Sequence, residues 1–344
     1  MRHVPLGRDD TISEIMLGTM TYGTQTDRPD AYRQMDMAAD AGVTWLDTAE
    51  VYPVNPMRAE TVGVTETIVG EWLAEGNAGR MRIATKHGGE GGPSRDGAPI
   101  TADTIRPTIE ESLRRLGVDA IDLYQFHWPN RGSFQFRQYW SYRPEGRRDA
   151  IVQDIADCAG ALAEEVSRGT IRAFGLSNES TWGMDRWIGA CADPVRPVSL
   201  QNEYSLLCRI GDTDLTEMMV YEDVTMLAFS PLAAGILTGK YQGGAVPDGS
   251  RRAINEELGG RWTRGGERVE AAVDAYHAVA RDAGLDPVHM ALAWLQTRPF
   301  ACSAILGATT AEQLEHGLKA QDLVLPDDVV KAIDATHRAH PMPY

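Results

Sequence analysis

Eight short apolar runs, each followed by a longer stretch, constrain this chain more than any other feature. They are Ile15–Met20, Thr44–Asp47, Met81–Lys86, Ile121–Phe126, Ile171–Leu176, Val198–Gln201, Val224–Phe229 and Cys302–Leu306. Each has strand length and is bounded by turn or cap residues. Between them, Ala31–Ala41, Glu66–Ala74, Thr104–Leu116, Ala150–Arg168 and Leu215–Val220 carry helical patterns. Thr101, Ala102 and Asp103 supply cap candidates for the third helix, and Gly117 stands where a helix should stop. Alternation of this kind predicts parallel βαβ units. Eight strands close a barrel, whereas an open doubly wound sheet usually has fewer. No Pro- or Ser-rich linker splits the chain, so the expectation is one α/β domain over residues 1–344, a (β/α)8 TIM barrel.

Composition narrows the partners. The chain has 344 residues, 43% hydrophobic and 24% charged, enough apolar material for a large core. Its formal charge of −16 disfavours nucleic acid and anionic membranes and suits small-molecule partners, although a solvated surface alone explains it. No run of about 18 apolar residues exists to span a membrane. Cys158, Cys191, Cys208 and Cys302 form no CxxC pair, so disulfides and a cysteine zinc site are not expected. Without a visible signal peptide, the expected location is cytoplasmic, and the Asn178-Glu179-Ser180 sequon carries no meaning.

Three long irregular segments, His87–Pro99, Pro129–Arg148 and Tyr241–Gly266, each follow a strand and should lie at the C-terminal mouth. The middle one carries Phe134, Phe136, Tyr139, Trp140 and Tyr142, which could wall a substrate pocket or simply pack on the barrel or a neighbouring subunit. Several strings imitate known motifs and fail. Gly235 to Lys240 is one residue short of a P-loop, with Tyr241 where Ser or Thr is required. Gly175 to Glu179 lacks the second glycine of a nucleophile elbow. No GxGxxG follows the first strand. His337 and His340 sit in an expected C-terminal tail without an acidic or cysteine partner, so no metal is expected.

The surviving signal is positional. Asp47 ends the second strand, Lys86 the third, and His127 the fourth. Strand ends converge on one mouth in a barrel, where catalysis is found. Tyr52 lies five residues past Asp47, near enough to fold back over that mouth. Lys86 is one of only four lysines, with Lys240, Lys319 and Lys331, in a chain whose other cations are arginine. A compact ammonium of tunable pKa is a reason to keep lysine there. Singly, each residue has an ordinary reading: a helix cap, a surface charge, a core histidine.

These residues resemble the aldo-keto reductases over essentially the full length. Met1–Gly7 with Ile12–Met20 looks like an N-terminal β-hairpin and first strand. Leu46–Tyr52, Ala84–Lys86, Asp122–Trp128, Phe174–Asn178 and Ala228–Gly235 follow in family order. Within the family, Asp47–Pro53, Leu237–Tyr241 and Leu306–Thr310 look most like the bacterial Tas-type enzymes. The resemblance implies reversible reduction of an aldehyde or ketone with NADPH/NADP+. Tyr52 would be the general acid, Lys86 would lower its pKa, and Asp47 would hold Lys86. His127 would orient the carbonyl or assist proton transfer. Gly18, Thr19 and Met20 would line the cofactor, and Ser177, Asn178 and Gln201 would hold its carboxamide. Phe229 would stack on the nicotinamide. Ser230, Pro231, Leu232, Gly235 and Lys240, with Arg251 a weaker candidate, would follow the pyrophosphate. Gly307, Thr309 and Gln313 would flank the adenosine phosphate. His316 and Gly317 stand where many members carry Glu-Asn, and Gln313 where others place an arginine against the 2′-phosphate. Alternatives of the same resemblance are an alcohol or sugar dehydrogenase and a non-catalytic NADPH-sensing subunit. The substrate, a bulky or apolar carbonyl on the aromatic run, and any homo-oligomer stay open.

Overall fold

All eight runs form strands, and the strands close on themselves. A computed structural model describes residues 1–344 except 55, 136–137, 194, 255–265 and 344. Strands β1 (His3–Leu6) and β2 (Asp10–Ser13) form an antiparallel hairpin in the register His3 to Ser13. The closed barrel follows with β3 (Ile15–Gly18), β4 (Trp45–Asp47), β5 (Arg82–His87), β6 (Leu123–Phe126), β7 (Phe174–Ser177), β8 (Ser199–Glu203), β9 (Thr225–Phe229) and β10 (Cys302–Gly307). All neighbours are parallel, and β10 closes on β3 with Gly307 opposite Gly18.

Side-chain alternation divides the apolar residues into two cores. Ile15, Leu17, Leu46, Ile83, Tyr124, Phe126, Phe174, Leu176 and Met226 pack with the surrounding helices. Their neighbours of opposite parity, Met16, Trp45, Ala84, Leu123, Leu227 and Ile305, pack with one another inside the barrel. Leu6 and Ile12 of the hairpin join this inner cluster. The hairpin therefore plugs the end where the strands begin; the Gly7 N–H donates to Thr225 Oγ1 at 3.1 Å, at the start of β9. Full burial of side chains this size contributes roughly 1.5–3 kcal/mol each. With one end filled by hydrocarbon, polar inward-facing residues are left to the other.

The helices follow local chemistry. The helix α1 (Arg28–Asp40) is capped by Asp27, which accepts from Asp30 N. Next come α2 (Val64–Trp72) and α3 (Ala102–Leu116). At the start of α3 the Thr101 N–H donates to Thr104 Oγ1 at 2.9 Å, and Gly117 ends it at φ 66°. A left-handed residue there favours glycine. Helices α4 (Arg148–Arg168), α5 (Thr181–Ala190) and α6 (Leu215–Tyr221) continue the alternation. Among the described residues, the expected irregular segment after β9 holds a 3-10 turn (Gln242–Gly244) and the short helix α7 (Arg251–Ile254), and its residues 255–265 lie outside them. Beyond it lie α8 (Glu267–Asp282), α9 (Pro287–Trp294), α10 (Ala311–Leu318) and α11 (Asp327–Ala339). The expected C-terminal tail is thus the helix α11, which contains His337 and buries Val329 and Ile333 against the barrel's shell. Among the described residues, no helix is long and apolar enough to cross a membrane.

Candidate active site

The alternation that buries Trp45, Ala84 and Leu123 inside the barrel carries on to the mouth two residues later. It turns Asp47, Lys86 and Gln125 inward there. Lys86 is fully buried and Asp47 is 2% exposed. The Lys86 ammonium donates to Asp47 Oδ2 at 2.7 Å and to the Thr48 carbonyl at 2.8 Å. Its remaining contact is Tyr52 Oη at 3.5 Å. Asp47 Oδ1 accepts from Gln201 Nε2 at 2.9 Å and Gln125 Nε2 at 3.5 Å. A charged pair taken out of water needs such satisfied geometry to persist.

Tyr52 reaches the lysine because the chain after β4 is pinned to β5. Thr48 N donates to the Ala84 carbonyl at 2.9 Å and Glu50 N to the Lys86 carbonyl at 3.2 Å. A turn then returns Tyr52 N to the Ala49 carbonyl at 3.0 Å. The ring packs with Ala49 and Val51, and Met20, Val54 and Trp128 lie against that cluster. His127 N is held by the His87 carbonyl at 3.0 Å, and its ring meets the Tyr52 ring edge-on at 5.6 Å between centroids. The four residues named from strand register and resemblance therefore converge on one spot.

Their electrostatics differ from expectation in one respect. Burial, and then the Asp47 carboxylate, raise the Tyr52 phenol well above its ordinary value, opposed by Arg251. The lowering expected from Lys86 is not what dominates: desolvation of a phenolate in this pocket outweighs an ammonium 3.5 Å away whose charge Asp47 already balances. Burial likewise lowers Lys86, against the opposing pull of Asp47. His127 is lowered well below the ordinary imidazole range by burial and then by Lys86, so its ring is neutral at neutral pH.

The remaining sequence-selected residues fall into groups around this centre. Thr19 spends both its N–H, at 3.1 Å, and its hydroxyl, at 2.8 Å, on the Asp47 carbonyl. Gly18 faces Asp47 and Gly307 across β3, where an added Cβ would meet Ile305 Cγ2 at 2.9 Å. Ser177, Asn178 and Gln201 are neighbours, but Ser177 Oγ already donates to the Gln201 carbonyl at 2.8 Å. Asn178 Nδ2 donates to the His127 carbonyl at 2.9 Å, while Asn178 Oδ1 is buried without a partner. Phe229 shares the parity of Leu227 and packs against the inner cluster at the mouth.

After Phe229 the backbone enters the left-handed region at Ser230, Ala233, Ala234 and Gly235. Non-glycine residues hold such angles at a cost, typically where function over-determines the backbone. Pro231 and Leu232 lie within this turn, and Gly235 approaches Lys240: an added Cβ would meet its Cε at 3.1 Å. Burial and the nearby Arg251 guanidinium lower Lys240. Two cations that approach closely enough to oppose each other's charge suit an anion between them. Thr309 and Gln313 also lie together, Gln313 Oε1 accepting from Thr309 N at 3.2 Å and Thr309 Oγ1 at 3.1 Å.

Some residues escaped the sequence reading. Gln125 was detectable, standing two before His127 on the same face. Trp128 contacts the His127 ring at 4.9 Å and donates Nε1 to the Glu90 carbonyl at 3.0 Å. Glu50 is buried against Arg95, 2.6 Å from Nη1, which straps segment 87–99 over the mouth. No spacing rule announces that pair. The expected aromatic wall is only partly present. Tyr139 Oη donates to Glu203 Oε2 at 2.9 Å, at the end of β8, but Trp140 is 79% exposed and walls nothing. Phe134 lies near Tyr139, Tyr142 Oη donates to the Gly132 carbonyl, and Phe136 lies outside the described residues.

The aldo/keto reductase family model matches residues 14–338. Protein tas of Escherichia coli K12 is 41% identical over 343 residues, covering 96% of each chain. The uncharacterized oxidoreductase YrpG of Bacillus subtilis is 29% identical over 97% of this chain and 95% of its own. An aldo-keto reductase of Babesia bovis is 32% identical over 69% of this chain and 87% of its own.

Proposed function

The chain belongs to the aldo/keto reductase family, and from that premise we propose that it reduces an aldehyde or ketone to the alcohol, reversibly, with NADPH. The observation that carries this reading is one contact. Tyr52 Oη lies 3.5 Å from an ammonium that is itself fixed by Asp47, with the His127 ring alongside.

The roles follow from the chemistry of each atom. A bound nicotinamide would supply the hydride, which no side chain can. Tyr52, kept protonated by its surroundings, offers its proton to the carbonyl oxygen as negative charge develops there. Lys86 faces the phenolate left behind and stabilises it, while Asp47 keeps the ammonium in place. His127, held neutral, donates a hydrogen bond to the same oxygen and cannot be the acid at neutral pH. Met20, Val54 and Trp128 give the carbonyl substituent an apolar wall.

The residues present fit a dinucleotide. The unpartnered Asn178 Oδ1 suits the amide N–H of a carboxamide. Phe229 would stack on its ring. The left-handed turn from Ser230 to Gly235, with Lys240 and Arg251, would hold the pyrophosphate. Thr309 and the N-terminus of α10, capped by Thr310, would receive the adenosine phosphate. Gln313 brings no charge to that end, so the preference for NADPH over NADH should be modest.

A panel of aldehydes and ketones, followed by NADPH absorbance, tests the reading. Turnover of some member is expected, with the reverse oxidation of the matching alcohol in NADP+. Tight NADPH binding without turnover in either direction would instead make the chain a nucleotide sensor and overturn the proposal.

A further inference from the structure

A second cluster of ligand-type side chains lies on the shell of the barrel, between α9 and α10. Asp286 caps α9, His289 stands three residues on, and His316 belongs to α10. One ligand atom from each lies within 4.8 Å of the others. We infer that Asp286, His289 and His316 form a binding site for a divalent transition metal, zinc being the best match.

The arrangement of hydrogen bonds supports this. Asp286 Oδ1 accepts from Val288 N at 2.8 Å and His289 N at 3.1 Å, which fixes the carboxylate and leaves Oδ2 for a metal. His289 Nε2 lies 2.8 Å from the His316 carbonyl, which can only accept. The proton therefore sits on Nε2, and the lone pair sits on Nδ1. Metal-bound histidines are oriented in the same manner, by a carbonyl on the far ring nitrogen. His316 Nε2 is 3.3 Å from Asp286 Oδ2. Two ligands about 2.0–2.1 Å from tetrahedral zinc lie about 3.3 Å apart, so this edge already has the right length.

The widest separation must close by roughly 1.5 Å to reach that geometry. The movement falls to His316, which is 47% exposed at the surface, since Asp286 is held by its two backbone hydrogen bonds. Two imidazoles and one carboxylate neutralise part of the ion's charge, and water completes the fourth position. The chain's charge of −16 also favours cation uptake. The sequence carries the expectation of no metal: its only histidine pair at ligand spacing is His337 and His340, and the third ligand here comes from a helix 27 residues away.

Isothermal titration of untagged protein with Zn2+ tests the site, with Co2+ absorption reporting coordination. One equivalent should bind with micromolar affinity. His289→Gln and His316→Gln should each weaken it by about tenfold or more. Asp286→Asn, which keeps the helix cap, should weaken it as well. The double variant His337→Gln/His340→Gln should bind as the parent does. Absence of saturable binding at millimolar Zn2+, unchanged affinity in His316→Gln, or loss of binding in the His337/His340 variant would each overturn the assignment.

Discussion

Replacing Tyr52 by Phe separates chemistry from architecture. The substitution removes one oxygen whose partner, Lys86 Nζ, stands at 3.5 Å, the outer limit of a hydrogen bond. The ring keeps its packing against Ala49 and Val51. A hydrogen bond stretched to this length, even from an ammonium that Asp47 already balances, contributes about 1 kcal/mol, so thermal stability should shift by only a few degrees. Nor does the phenol touch the candidate nucleotide residues Asn178, Phe229 or Lys240, so the affinity for NADPH should change less than about threefold, under 1 kcal/mol. Turnover is another matter. A positioned general acid is worth about 10²–10⁴ in rate, which at 1.36 kcal/mol per decade is roughly 3–5 kcal/mol. The expected signature is therefore a fall in kcat of at least a hundredfold with folding and nucleotide binding intact. Steady-state NADPH oxidation, fluorescence titration of the nucleotide and a thermal melt read the three quantities. Turnover within about threefold of the parent, with nucleotide bound, would show that another group supplies the proton and would refute the role given to Tyr52.

The same geometry sets other outcomes. Lys86→Met leaves the buried Asp47 with only two amide donors, and should cost about 3–5 kcal/mol in urea unfolding. Adding Asp47→Asn should recover part of that, and no recovery would rule out the uncompensated charge as the cause. Burial and then Arg95 lower His87 to about 3, so the unfolded chain binds the extra proton below about 6.5. Stability present above pH 6.5 is lost as pH falls. Between pH 7 and pH 5 the parent should lose about 2 kcal/mol more than His87→Gln, and parallel pH profiles would contradict this. Lys240→Met should weaken NADPH binding by about tenfold to a hundredfold, in line with one charged hydrogen bond, and similarly weaken NADH. An unchanged Kd would remove Lys240 from the pyrophosphate site.

How much of this was legible in the sequence depends on how local the cause was. Strand order and number were legible because each strand carries its own apolar run, and parity within a strand is a property of consecutive residues. The same parity fixes Asp47, Lys86 and Gln125 as inward-facing, since Trp45, Ala84 and Leu123 fill the interior two residues earlier. Long-range contacts were not legible. Arg95 reaches Glu50 across 45 residues from a loop with no period, and Trp128 reaches Glu90 in the same way. Trp140 looked like pocket lining because aromatic residues favour burial, yet nothing local decides which side of a loop faces the mouth. The helix α11 resembles a polar tail in sequence because only Val329 and Ile333 of its residues are buried to dock it. The phenol is the most instructive case. A lysine beside a tyrosine suggests a lowered pKa, but whether it is lowered depends on how dry the pocket is and whether the ammonium is already balanced. Both are facts of packing, set by Asp47, Gln125 and Gln201 from three different strands. At Tyr52 the neighbouring charge and the burial oppose each other, and burial wins. In the proposed reduction a protonated Tyr52 would meet the arriving carbonyl, and Lys86 would act only after the proton has left.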